Sequence, residues 1–401
     1  MAEVTNYIDR LVAELCPDGV EYRPLGELLG YEQPTKYLVS SKDYDDSYPT
    51  PVLTAGKTFI LGYTNEAEGI YPASKEEPVI IFDDFTTAFK WVEFPFKAKS
   101  SAMKMLTLKS GNNSLFKYVY YAMQCIVYNS SDHARQWISK YSNIEVPVPP
   151  MEIQEAIVEI LDKFTNLEAE LEAELEARTL QYEYYRDSLF EALDCPRATL
   201  GELGKFYGGL KGKTKNDFGS SGARYISYKN VYENISADFT WPDFVQVKEG
   251  ENQLSLMKGD ILLTGSSENM EESGLSSVVT KEPEEKAYLN SFSICYRLND
   301  PSILNPEFSK YLFRSRLARK QIIRTAQGVT RFNVSKKKLA NVSVPIPTLE
   351  EQQRIVDILD RFDALTSSLS EGLPAELAAR RSQYEYYRDQ LLTFPRKGEN
   401  Q

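Results

Sequence analysis

Gln181-Tyr-Glu-Tyr-Tyr-Arg-Asp187 recurs unchanged as Gln383-Tyr-Glu-Tyr-Tyr-Arg-Asp389. Seven consecutive identities, three of them tyrosine, mark a duplicated chain rather than coincidence. Upstream of each copy lies a second match. Val146-Pro-Val-Pro-Pro-Met-Glu-Ile-Gln-Glu-Ala-Ile-Val-Glu-Ile-Leu-Asp-Lys-Phe164 aligns with Val344-Pro-Ile-Pro-Thr-Leu-Glu-Glu-Gln-Gln-Arg-Ile-Val-Asp-Ile-Leu-Asp-Arg-Phe362 at an offset of 198 residues. The heptapeptides are offset by 202, so one of the two intervening segments is four residues longer than the other.

Both segments predict helices. Ile153, Ile157, Ile160, Leu161, Phe164, Leu167, Leu171 and Leu175 step by three and four. The proline runs ahead of them bar helix upstream, so each helix starts just after its prolines. In the second copy Ile355, Leu359, Phe362, Leu365, Leu369, Leu373 and Leu377 continue the stripe, and Gly372 and Pro374 predict a kink or break. A helix from Glu152 to Leu193 would reach roughly 60 Å. So long an apolar stripe calls for a partner helix, and the other copy, packed antiparallel as a coiled coil, is the economical one. The first helix also carries Leu167-Glu-Ala-Glu, Leu171-Glu-Ala-Glu and Leu175-Glu-Ala in succession. This reads either as good helix-forming filler or as a spacer whose length matters.

A third repeat precedes each globular part: Leu25-Gly-Glu-Leu28 and Leu200-Gly-Glu-Leu203, with Cys16-Pro17 and Cys195-Pro196 upstream. The first heptapeptide helix runs directly into the Cys-Pro and Leu-Gly-Glu-Leu elements. The second ends at Phe394-Pro395, and what would follow it stands at the N-terminus. The repeat is circular, which predicts a pseudo-twofold molecule with adjacent termini.

Between the helices, residues about 20–145 and 197–343 are mixed. Pro78-Val-Ile-Ile-Phe82 and Asp260-Ile-Leu-Leu-Thr264 read as strands. Leu115 to Tyr128 and Pro306 to Ile323 read as helices, sharing Phe116-Lys-Tyr-Val-Tyr and Phe308-Ser-Lys-Tyr-Leu. Arg135-Gln-Trp-Ile-Ser-Lys140 and Arg331-Phe-Asn-Val-Ser-Lys336 then look alike. The middles do not align, as suits two modules for different ligands. The fold class is α+β, with two mixed α/β domains set on two long antiparallel helices.

The 401 residues suffice for two or three domains, and 42% hydrophobic with 26% charged residues is ordinary globular composition. No apolar run approaches a membrane span, no signal peptide opens the chain, and four scattered cysteines form no CxxC pair. The reading is cytoplasmic. A net charge of −12 is the wrong sign for binding nucleic acid. The charge is uneven, however. Five glutamates fall between Glu168 and Glu176, whereas Lys310 to Lys338 holds ten basic residues and no acid. A smaller basic stretch covers Lys97 to Lys109. Basic runs beside acidic helices predict that the domains, not the helices, meet a polyanion, the alternative being a solvated basic face.

These features together resemble the specificity subunits of type I restriction-modification systems: the proline-led starts with Gln154 and Gln352–Gln353, the Ile-Val-(Glu/Asp)-Ile-Leu-Asp core, the Tyr-Glu-Tyr-Tyr-Arg-Asp ends and the circular order. The resemblance covers nearly the whole chain. It extends to the subfamily whose central helix carries tetrapeptide repeats, normally Thr-Ala-Glu-Leu, here Glu-Ala-Glu-Leu. It implies target recognition domain 1 at 1–150, a spacer helix at 151–195, target recognition domain 2 at 196–348, and a distal helix with tail at 349–401. It also implies a non-catalytic, sequence-specific DNA-recognition subunit that binds a bipartite asymmetric duplex target. Two methyltransferase subunits would dock on the helices and use S-adenosylmethionine to methylate adenine. Restriction subunits would bring ATP and Mg2+ chemistry, with no cofactor in this chain. The competing reading is a coiled-coil scaffold that reuses the frame without DNA.

Catalytic constellations are weak. Gly212-Lys213-Thr214 lacks the first glycine of a P-loop, since Tyr207 stands there. Asn305-Pro-Glu-Phe308 has the wrong third residue for an adenine-methyltransferase motif and reads as a helix N-cap followed by proline. The single His133 has no metal or triad partner. Base reading needs Arg, Lys, Asn and Gln, and phosphate contact needs Lys, Arg, Ser and Thr. The DNA-binding candidates are Lys57, Thr58, Tyr63, Asn65, Lys97, Lys99, Lys104 and Arg135 in the first domain. In the second they are Lys211, Lys213, Arg224, Lys229, Asn230, Arg324, Gln327, Thr330 and Arg331, centred on the Ala326–Arg331 turn.

Overall fold

The computed structural model of the chain describes residues 2–56, 58–111, 114–128, 134–366 and 372–398. The chain forms two compact units, Met1–Glu170 with Leu377–Gln401, and Leu171–Glu376. The division falls inside the Leu-Glu-Ala-Glu repeat.

The first unit opens with α1 (Ala2–Leu15) and β1 (Glu21–Pro24). The strands β2 (Leu29–Glu32), β3 (Thr50–Leu53), β4 (Ile60–Thr64), β5 (Val79–Asp83), β6 (Phe89–Val92), β7 (Lys97–Ala98) and β8 (Met103–Leu108) follow. Then come α2 (Phe116–Gln124), β9 (Glu145–Val148) and α3 (Met151–Glu191), the last of which continues into the second unit. The main sheet has the order β2-β8-β5-β6, beside a smaller sheet β4-β3-β7. The Val-Ile-Ile-Phe run is buried on both faces, as an apolar strand without alternation should be. Ile80 and Phe82 join a core with Tyr118, Trp137, Ile153 and Ile157, while Val79 and Ile81 pack with Leu53, Phe96 and Met105. The period-two side-chain direction thus ties one strand to the helices and to the small sheet at once.

The second unit contains β10 (Arg197–Thr199), β11 (Gly204–Gly208), β12 (Phe218–Gly219), β13 (Ala223–Ile226), α4 (Tyr228–Glu233) and β14 (Phe244–Val245). It continues through β15 (Ile261–Thr264), β16 (Ser266–Ser267), β17 (Ser276–Val278), β18 (Tyr288–Leu289) and β19 (Ser293–Leu298). It closes with α5 (Pro306–Leu312), α6 (Arg316–Ile323), β20 (Ala326–Gln327), β21 (Phe332–Val334), β22 (Ser343–Pro345) and α7 (Leu349–Thr366). Its main sheet is β11-β19-β15-β17. Ile261 and Leu263 face a core with Phe308, Ile355 and Leu359, and Leu262 faces the opposite layer with Ile226 and Val231. The last helix, α8 (Leu373–Leu391), lies past the predicted break; α7 ends at Thr366 and Gly372 adopts φ +88°.

The helix expected over Pro306 to Ile323 is two helices. Buried Ser315 stops the first by bonding the Leu312 carbonyl at 2.6 Å, and it caps the second as N-cap of α6. The helix expected from Leu115 to Tyr128 is shorter, ending at Gln124.

Each unit builds the same frame. Gln154 accepts from Leu115 N–H (2.9 Å) and donates to the Pro149 carbonyl (2.7 Å); Gln352 accepts from Asn305 N–H (2.7 Å) and donates to the Pro347 carbonyl (3.0 Å). Tyr121 bonds Asp162, and Tyr311 bonds Asp360. Tyr387 of α8 stacks on Phe164 of α3 (5.7 Å) in the first unit, with Arg381 paired to Glu168. Tyr185 of α3 stacks on Phe362 of α7 (5.4 Å) in the second. In the first unit these two contacts run in opposite senses along the chain, so α3 and α8 pair antiparallel there.

These anchors correct two alignments. Leu115 and Asn305 are both N-caps, and Tyr121 and Tyr311 both reach the helix aspartate, so the helix offset is 190 and not the 192 of the Phe116/Phe308 match. Gln136 N–H bonds the Asp84 carbonyl as Val334 N–H bonds that of Gly265, and Leu25 bonds Ile144 as Leu200 bonds Val342. The offset there is 198, so Arg135 corresponds to Asn333 and not to Arg331.

The repeat of four residues rarely buries its leucines deeply. Four residues turn a helix by about 400°, so the leucine stripe drifts by about 40° per repeat. Leu167 is exposed, and Leu171 and Leu175 are half-buried. In the first unit the ends of the chain meet: Val20 N–H bonds the Pro395 carbonyl (2.8 Å) and Lys397 N–H bonds that of Val20 (2.9 Å).

Candidate nucleic-acid interface

The run Lys310–Lys338 divides into two by what its side chains touch. Lys310 pairs with Glu307 (2.7 Å) and Asp360 (3.0 Å). Arg314 donates to the carbonyls of Ser276 (2.7 Å) and Tyr232 (3.0 Å), and Arg319 to those of Gly274 (2.7 Å) and Ser273 (2.8 Å). Burial pulls the pKa of Arg314 and of Arg319 down to about 10, so both remain cationic at neutral pH. Arg316 pairs with Glu191 (2.7 Å). These four cations bind the fold together. Lys320, Arg324, Arg331, Lys336, Lys337 and Lys338 are exposed, with no ion pair to any described residue.

Arg331 sits on the β20–β21 hairpin, where Gln327 faces Asn333 and β21 continues onto β16 through Ser267 opposite Phe332. Gly328 takes φ +144°, and a Cβ there would meet the Arg331 carbonyl at 1.9 Å, so only glycine fits. The tip is open: Gln327, Thr330 and Arg331 are exposed, and Val329 is 90% exposed. Lys229, on α4, and Arg331 line one cleft of about 380 Å³. Arg224 lines a different cavity and donates to the Trp241 carbonyl (3.1 Å). Lys211 is exposed on the loop after β11. Lys213 is tied to Glu251 at 2.6 Å, and that bond holds the Glu251 carboxyl down to about 2.

Three candidates turn inward. Lys97 pairs with Glu66 (2.6 Å) and donates to the Glu68 carbonyl (2.7 Å), which keeps Glu66 below the usual carboxylate range. Lys104, 1% exposed, pairs with Asp84 (2.9 Å) and lies over the Tyr31 ring. Asn230 is buried and clamps the Asp238 backbone through both ends of its amide. As placed, none offers a donor at the surface. A buried lysine or asparagine needs a partner, and a carboxylate or backbone group has been folded against each.

In the first unit Thr58 lies in the β3–β4 turn, Tyr63 faces Pro51 across that hairpin, and Asn65 is exposed just beyond it. Lys99 donates to the Tyr44 hydroxyl (2.8 Å). Lys57 and His133 lie outside the described residues. Arg135 is exposed, without an ion pair to a described residue. The two residues after it are held by Asp84, whose carbonyl takes Gln136 N–H and whose carboxylate takes Trp137 N–H, each at 2.8 Å. Asp84 thus positions the segment carrying Arg135 while pairing with Lys104.

Sequence reasoning missed Phe292, Tyr228, Ser267 and Glu268, which line the same cleft as Arg331. The available signal was a lone aromatic among polar residues, Asn290-Ser-Phe-Ser293. Asn305 caps α5 by accepting from Glu307 N–H (2.9 Å), as its motif predicted.

The sequence matches the Type I restriction modification DNA specificity domain over residues 17–177 and 197–379. It is 44% identical to the type I restriction enzyme EcoR124I/EcoR124II specificity subunit of Escherichia coli, covering 98% of both chains. It is 28% identical to a putative type I restriction enzyme specificity subunit of Haemophilus influenzae, covering 94% of this chain and 96% of that one. Two solved structures share the fold at 15% identity. One is a type I restriction-modification S subunit from M. genitalium (TM-score 0.50), which covers 93% of this chain and 96% of that one. The other comes from work on complex assembly and conformational transition of the type I R-M system (TM-score 0.56), covering 93% and 97%. A family match across both halves, with a relative aligned over almost its full length, places the chain in the type I restriction modification DNA specificity family.

Proposed function

We propose that this chain is the sequence-reading subunit of a type I restriction-modification complex, each of its two units reading one half of a bipartite duplex target. The observation that carries this reading is a frame kept atom for atom around loops that differ. Gln154 and Gln352, Asp162 and Asp360, and Phe164 and Phe362 repeat the same bonds, while the free cations sit on dissimilar elements. A scaffold that reused the frame would have no use for two divergent sets of exposed donors.

Arg135, Thr58, Tyr63, Asn65 and Lys99 are the first unit's contacts, with Lys57 beside them. Arg324, Gln327, Thr330, Arg331, Lys211 and Lys229 are those of the second. Arg224 and Lys213 shape its loops. Residues 1–150 and 196–348 act as the target recognition domains, and 151–195 and 349–401 as the helical parts on which two methyltransferase subunits dock. Those partners supply S-adenosylmethionine and the methyl transfer to adenine, and restriction subunits supply the ATP- and Mg2+-dependent steps. Their positive surface would offset this chain's charge of −12.

The test is to assemble the chain with its methyltransferase and measure duplex binding against salt, while mapping methylated adenines in cells. A two-part motif and an affinity that falls steeply with salt are expected. Binding without sequence preference would favour the scaffold.

A further inference from the structure

The cleft beside the β20–β21 hairpin combines groups that seldom share a phosphate site. Arg331 and Lys229 bring positive charge, Lys229 being paired with Glu233 at 3.6 Å, and the exposed Glu268 and half-buried Glu272 bring carboxylates. Neither Arg331 nor Glu268 makes an ion pair with any described residue, so the two opposite charges line one cleft without neutralising each other. Phosphate would satisfy the cations and be repelled by the carboxylates. A ligand that satisfies both must present acceptors and a donor side by side.

The walls are held in place before any ligand arrives. Phe292 is 64% exposed, yet its backbone is fixed on both sides. Its N–H donates to the side-chain oxygen of buried Asn290 (2.9 Å), and its carbonyl accepts from Gly265 N–H (2.9 Å). A Cβ at Gly265 would stand 2.4 Å from that carbonyl, so the approach requires glycine. Tyr228 donates to the Ser266 carbonyl (2.8 Å), tying α4 to the strand that carries Ser267. An exposed phenylalanine on so fixed a loop lacks a packing role of its own and can exclude water from an adjacent polar contact.

We propose that this cleft reads one guanine–cytosine pair of the DNA target through its major-groove edge. Arg331 donates its fork to guanine O6 and N7, and Glu268 accepts from the cytosine amino group. The chemistry selects that pair. A guanidinium fork needs two neighbouring acceptors, which guanine alone offers in the major groove, and the next group along the edge is the cytosine amino donor that a carboxylate accepts. An adenine–thymine edge places its donor between its acceptors and fits neither group as well. The assignment rests on the proposed DNA-reading function and adds which residues specify a base.

The experiment uses the chain assembled with its methyltransferase subunits. Duplexes carry the mapped target with each of the four base pairs substituted at every position of the half-site read by the second unit. Arg331→Ala should relax one guanine-specific position by roughly ten- to hundred-fold while leaving the other positions selective. Arg331→Lys, which keeps the charge and loses the fork, should relax the same position but retain overall affinity. Glu268→Ala, which removes the acceptor, should relax preference at that same pair. Both side chains are exposed, so the fold tolerates these changes. If Arg331→Ala instead weakens binding equally for every sequence and lowers the salt slope by about one, Arg331 is a phosphate contact and the assignment is overturned. An unchanged base preference in Glu268→Ala overturns it as well. A wild-type complex without sequence preference would instead overturn the proposed function itself.

Discussion

Gln352 shows how much one buried amide can hold. It bonds the Asn305 N–H and the carbonyls of Ile303 and Pro347 while fully buried, so it locks the start of α7 to the start of α5. Gln352→Leu leaves those three backbone groups without partners and should cost about 2–4 kcal/mol. Faster hydrogen exchange across 303–312 would report it. The cations divide in the same way. Lys104→Met strands the buried Asp84 carboxylate and should destabilise the first unit by about 3–5 kcal/mol, read from thermal melting. Arg135→Ala should leave melting unchanged and reduce the slope of log affinity against log salt by about one, read from a salt titration of the assembled complex. Lysine composition alone could not separate these cases. Lys97, Lys99 and Lys104 lie within eight residues, and what distinguishes them is contributed from elsewhere in the chain by Glu66, Tyr44 and Asp84.

At the scale of elements, the heptapeptide has two sides. Its third tyrosine stacks on the paired helix, Tyr185 (42% exposed) on Phe362 and the half-buried Tyr387 on Phe164. Its second points out, with Tyr184 68% and Tyr386 58% exposed. Tyr185→Ala and Tyr387→Ala should each destabilise their own unit by about 1–2 kcal/mol, whereas Tyr184→Ala and Tyr386→Ala should change stability by less than about 0.5 kcal/mol. Denaturant titration of the four variants separates the two sides. Equal losses at all four positions would contradict this division. The long helices were legible from period and proline, and their starts, Met151 and Leu349, fell just after the prolines as expected, because prolines stop a helix locally. The shared motifs misled by two residues in both places. Short matches such as Arg-x-x-x-Ser-Lys recur by composition, while true equivalence is set by which carbonyl an N–H reaches across the sheet.

For the whole molecule, modular reading has two consequences. Exchanging 197–343 for the corresponding part of another family member should change one half of the methylated motif and leave the other intact, as methylome sequencing will show. Adding one Leu-Glu-Ala-Glu unit to α3 lengthens it by about 6 Å, against a rise of about 3.4 Å per base pair, so the gap between the half-sites should grow by one or two positions. An unaltered gap would refute the spacer role. The duplication, its circular order, the two helical segments and the break at Gly372 were all determined by sequence alone, because repeats, prolines and apolar periods act through local chain geometry. Which basic residues are free was decided only by the tertiary structure. A side chain is buried or exposed by strands and loops distant in sequence, and the cost of desolvating a charge brings a partner to every cation that folds inward. So Arg314 and Arg319 hold the second unit together while Arg331, twelve residues beyond Arg319 in the same run, stands open to a ligand.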